Sequence, residues 1–75
     1  MRIGVPKEIK THEYRVGLTP AAVREYVARG HEVIVETGAG AGIVADDAAY
    51  RQAGAAIAAN AAEVFAQAEM IVKVK

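Results

Sequence analysis

Two cations, a glycine cluster and two histidines are the residues of this 75-residue chain whose type and spacing could do chemistry. Arg15 ends a polar stretch from Lys7 to Gly17 that also holds Glu8, Lys10, His12 and Glu13, with neither helical nor strand periodicity. A rigid guanidinium fork there can grip a carboxylate through two parallel hydrogen bonds, which lysine cannot do. Lys75 closes the apolar run MIVKVK. In that run alternation puts Ile71, Lys73 and Lys75 on one side and Met70, Val72 and Val74 on the other. A lysine at the carboxyl end of a parallel strand stands where active sites collect in open α/β sheets. For both cations the competing reading is a solvated surface charge. Gly38, Gly40 and Gly42 suggest a dinucleotide turn, but the fingerprint needs a third glycine at position 43, where Ile43 stands. A plain turn is the better reading. His12 and His31 have no metal-ligand partner at helical or strand spacing, and His31 beside Gly30 suits a helix C-terminus.

The elements that must position these residues follow from pattern. Arg2–Val5 is a short apolar run stopped by Pro6, which lacks the amide a continuing central strand would need. Thr19-Pro20 is an N-cap with proline at the first helical position; Val23, Tyr26 and Val27 form the inner face, Glu25 and Arg29 an outer ion pair, and Gly30 the stop. A β-branched run over 31–36 predicts a second strand. Asp46 or Asp47 caps a short helix through Ala53 that ends at Gly54, and 55–58 is a weak third strand. Asn60 with Glu63 starts a third helix, with inner face Ala61, Val64, Phe65 and Ala68, and 70–75 is the fourth strand. This βαβαβαβ series with short connections predicts an α/β fold, a parallel sheet with helices on both faces. A strand order of 2-1-3-4 or 2-1-4-3 would bring the loop of Arg15 near Lys75.

Composition bounds the function. With 9 Lys+Arg against 9 Asp+Glu the net charge is +0, and a pI near 6.7 argues against a nucleic-acid partner. No run approaches a membrane span, and the charged start, with its proline, is not a signal-peptide core. The lack of cysteine suits a reducing cytoplasm. Of the residues counted as hydrophobic, 17 are alanine, so the core is thin. Nothing follows the fourth strand to cover it, and the chain reads as a cut piece of a larger unit that needs the rest of its parent chain.

The segments MRIGVPKEIKTHEYRVGLTPAAV, RGHEVIVETGAGAG, AGAAI and IVKVK together resemble the N-terminal part of the alanine dehydrogenase family. The alpha subunit of proton-translocating nicotinamide nucleotide transhydrogenase begins similarly but typically departs from lysine at the position of Lys75; lysine-forming saccharopine dehydrogenase is more distant. The resemblance implies a flavodoxin- or Rossmann-like substrate domain in which residues 1–75 are the N-terminal part, the nucleotide-binding domain lying outside them. It implies NAD-dependent, reversible oxidative deamination of L-alanine to pyruvate and ammonium by a homo-oligomeric parent enzyme. The arginine matching Arg15 would hold the substrate carboxylate, and the lysine matching Lys75 would contact the substrate near its carboxylate and carbonyl oxygens. The family's catalytic histidine and aspartate lie beyond residue 75, so this stretch alone is expected to bind no cofactor and to be inactive. The sequence departs from the family pattern at Val44 and Ala45, where glycine and a larger residue are usual. The alternatives are the start of a transhydrogenase alpha subunit and a non-catalytic folding or assembly module.

Overall fold

The computed structural model describes residues 1–8, 16–43 and 45–73. Three strands, each followed by a helix, lead to a fourth: β1 (Arg2–Val5), α1 (Pro20–Ala28), β2 (Glu32–Glu36), α2 (Asp47–Gln52), β3 (Ala56–Ala58), α3 (Ala61–Gln67) and β4 (Met70–Ile71), with a 3₁₀ turn at Ala41–Ile43. All pairings are parallel, in the order β3-β2-β1-β4.

Strand alternation divides the core between two faces. Ile3 and Val5 of β1 and Val33 and Val35 of β2 point to one face, where they meet Val23 of α1, Tyr50 of α2 and Ala53, which caps α2. Ile34 and Ala58 point to the other, under Val64 of α3, with Ile71 alongside. Val5, Val23, Val35, Tyr50 and Val64 are fully buried, and burying a side chain of this size contributes roughly 1.5–3 kcal/mol. Gly4 lets α3 lie close on β1, since a Cβ there would stand 2.6 Å from Ala68 Cβ and 2.7 Å from Val64 Cγ1.

The helix starts are capped as their sequences dictate. Thr19 Oγ1 accepts from the Ala22 amide at 3.2 Å, Asp46 Oδ1 from Ala49 at 2.9 Å and Asn60 Oδ1 from Glu63 at 2.9 Å. Glu63 Oε2 returns the bond to the amide of Ala59, one residue before the cap. Gly30 ends the α1 turn at φ +89°, a conformation that penalises any side chain.

Four expectations are corrected. The strand order is neither 2-1-3-4 nor 2-1-4-3. Because α1 and α2 share a face, their right-handed crossovers step in the same direction from β1 through β2 to β3; α3 crosses the opposite face and returns β4 to the free edge of β1. Phe65 is 54% exposed, because Val64, flanked by Ala61 and Ala68, makes the α3 contact with the sheet. Glu25 and Arg29 stay exposed and do not close an ion pair, as expected where charge attraction in water barely offsets side-chain entropy. An ion pair does form between Arg2 Nε and Glu32 Oε2, 2.9 Å apart. The fourth strand is short, though Val72 still donates to the Gly4 carbonyl at 2.9 Å. No helix among the described residues is long and apolar enough to cross a membrane.

Candidate functional site at the carboxyl end of the sheet

The chain leaves β1 for one side of the sheet and reaches β4 from the other, so these adjacent strands form the point where the winding reverses. Open α/β sheets bind ligands in the crevice outside the carboxyl ends of such strands. There β1 runs into buried Pro6 and then Lys7, whose amide donates to Glu36 Oε1 at 2.8 Å and ties the ends of β1 and β2 together. Arg15, Val74 and Lys75 lie outside the described residues, as do His12 and Val44.

The residues flanking both cations meet. Gly17 lies so close to the chain just past β4 that a Cβ on it would run into the Val72 carbonyl oxygen, with the Val72 carbonyl carbon at 2.7 Å and Lys73 Cα at 3.0 Å. Val16 and Val72 both pack on the core that Ile3 and Val5 build. Next along the loop, the Leu18 carbonyl accepts a 2.8 Å bond from the Tyr50 hydroxyl, inside the core. Burial pushes the Tyr50 pKa up, which keeps the phenol protonated and donating at neutral pH. Arg15 stands two residues before Gly17 in sequence and Lys75 two after Lys73.

The glycine cluster is a turn satisfied by the chain's own groups. Asp47 takes the Thr37 hydroxyl on Oδ2 and the Gly38 amide on Oδ1 at 3.0 Å, and these bonds, the Thr37 bond first, hold its carboxyl below the usual range. Gly40 packs against Tyr50, where a Cβ would lie 2.7 Å from Cε2, and its carbonyl accepts from Ala45. An open cavity of about 540 Å³ borders this turn, edged by the acidic Asp46 and Asp47. Two carboxylates, an amide already engaged and Ile43 in place of the third glycine do not fit a dinucleotide pyrophosphate. His31 lies at the amino end of the sheet, its Nδ1 3.4 Å from the terminal amine and its ring 5.9 Å from that of Tyr26. Among the described residues no group of three or more His, Asp or Glu side chains could hold a metal ion.

The family model described as "Alanine dehydrogenase/PNT, N-terminal domain" matches residues 4–75. The chain belongs to this family. All 75 residues align with alanine dehydrogenase of Halomonas elongata at 55% identity and with that of Methanococcus maripaludis at 57%, covering 20% of each relative. This alanine dehydrogenase/PNT N-terminal domain therefore spans about a fifth of the length of the curated relatives it matches. Among solved structures, an L-alanine dehydrogenase superposes on 97% of the chain with a TM-score of 0.93 at 51% identity, covering 20% of that protein. A transhydrogenase from Sinorhizobium meliloti superposes at 0.89 with 33% identity, over 97% of this chain and 21% of its own. The α/β fold with its parallel sheet is thus the fold of the family.

Sequence reasoning singled out neither Gly17 nor Tyr50 nor the clamp made by Asp47. A faint signal existed for two of them. Gly17 precedes a capped helix where no left-handed turn is needed, and Tyr50 is the one aromatic side chain of its helix.

Proposed function

We propose that this domain is the opening part of the substrate domain of an NAD-dependent alanine dehydrogenase, which interconverts L-alanine with pyruvate and ammonium. The observation that carries the reading is the seat of Gly17 on Val72 where the winding reverses, since the chain runs from there to Arg15 and Lys75 within three residues. In this reading Arg15 holds the substrate carboxylate by two parallel bonds, and Lys75 contacts the carboxylate and carbonyl oxygens. A fixed cation beside the carbonyl oxygen orients the substrate and stabilises negative charge that develops on that oxygen. The glycine turn does not fit NAD, so the reading assigns the nucleotide to the rest of the parent chain. Greater identity with the alanine dehydrogenases than with the transhydrogenase favours this reading over a transhydrogenase alpha subunit.

The test is made on the full-length protein. NADH formation that requires L-alanine, and NADH consumption that requires both pyruvate and ammonium, are the expected results. Hydride exchange between NADPH and an NAD analogue, with no response to L-alanine, would overturn the reading in favour of a transhydrogenase.

A further inference from the structure

We infer that Glu36 and Glu69 set the register of the sheet, each carboxylate strapping one end of β1 to a different neighbour. Both neighbours of β1 carry an apolar run that does not fix its own alignment: Val33, Ile34 and Val35 in β2, and Met70, Ile71 and Val72 through β4. A slip of one residue turns every side chain of a strand to the other face. In these runs the slip brings another apolar side chain to each face, so burial alone separates the registers poorly. The residues that bound the runs are charged: Glu32 and Glu36 flank the first, and Glu69 precedes the second.

The straps act at opposite ends of β1. At the amino end the Arg2 amide donates to Glu69 Oε1 at 2.8 Å, and the Glu69 amide donates to the Arg2 carbonyl at 2.8 Å. At the carboxyl end the Lys7 amide donates to the half-buried Glu36 through Oε1 at 2.8 Å. Each carboxylate takes an amide just beyond the paired residues, which run from Arg2 with Glu32 to Val5 with Val35 on one side, and from Ile3 with Met70 to Gly4 with Ile71 on the other. A one-residue slip carries that amide about 3.3 Å along the strand and turns the glutamate to the other face, which breaks the bond. For the two-residue β4 the effect reaches the crevice: the register sets how far the chain rises beside β1, where Val72 donates to the Gly4 carbonyl and abuts Gly17. This holds for any substrate the crevice takes.

Hydrogen exchange resolved to single amides in the full-length protein separates a register role from local capping. The bonds from the Glu32 amide to the Met1 carbonyl and from the Val72 amide to the Gly4 carbonyl belong to the observed register, and each lies at the far end from the strap on its own strand. Glu69→Ala should speed exchange at Arg2 and also at Val72, by about 5-fold, the usual loss when a side chain that caps a main-chain amide is removed. Glu36→Ala should do the same at Lys7 and at Glu32. Neither variant should alter the pair of amides that answers to the other. Glu69→Gln and Glu36→Gln keep an acceptor oxygen and lose the charge, so the same amides should respond more weakly, and these variants carry the test where an alanine variant does not fold. Faster exchange at Arg2 or Lys7 alone would reduce the straps to local caps and overturn the inference. So would an equal increase throughout the sheet, or the same pattern from Glu32→Gln, which weakens only the exposed pair with the Arg2 side chain.

Discussion

The Tyr50 hydroxyl reaches 32 residues back in sequence to the Leu18 carbonyl, bonding it at 2.8 Å from a fully buried position in α2. A core residue thereby fixes the loop that enters α1. Leaving that carbonyl buried without a partner costs about 1–3 kcal/mol. Tyr50→Phe should therefore lower the unfolding temperature of the full-length protein, although phenylalanine fills the same volume. Differential scanning calorimetry checks this.

Asp47 supplies a pH dependence. Its carboxyl accepts from Thr37 and Gly38, and these bonds, the Thr37 bond first, hold its folded pKa below the ordinary aspartate value of 3.8. A carboxyl with a depressed folded pKa stabilises the fold above its unfolded pKa, and that contribution is lost as pH falls through the folded value. Asp47→Asn should thus lower the Tm at neutral pH. The gap to wild type should close as pH drops below 3.8, and melting curves across that range measure it.

Gly4 carries a packing prediction. A Cβ there would meet Ala68, Val64 and Ile71 at 2.6–3.0 Å, in the contact between α3 and β1. Overpacking of this kind costs about 1–3 kcal/mol. Gly4→Ala should destabilise the protein accordingly, and hydrogen exchange should quicken in α3 and β4 before β2.

The elements were legible where local chemistry is strong. Thr19-Pro20, Asp46 and Asn60 mark the three helix starts, and the β-branched Val33–Val35 marks the central strand. The strand order was not legible, because nothing local in the three-residue, alanine-containing β3 says which neighbour it takes; the faces chosen by α1, α2 and α3 decide it. Phe65 misled because an apolar residue on the flank of a helix looks internal by periodicity, whereas the small Val64 and Ala68 suit the narrow gap above Gly4. Gly17 was missed for a similar reason: it packs against the backbone of Val72, 55 residues away, and no spacing rule carries such information.

The proposal that Arg15 and Lys75 hold one substrate between them is tested most directly by steady-state kinetics of Arg15→Lys and Lys75→Ala in the full-length protein. In the proposed roles, Arg15→Lys would keep the charge and lose a two-pronged grip, so KM for pyruvate should rise; Lys75→Ala should lower kcat as well, because the carbonyl would lose a polarising group. A charge-assisted hydrogen bond is worth about 1.5–3 kcal/mol, which corresponds to a roughly 10- to 100-fold loss in kcat/KM for each variant, with NAD affinity unaltered. Kinetics of both variants within about twofold of wild type, the behaviour of two solvated surface cations, would contradict the account.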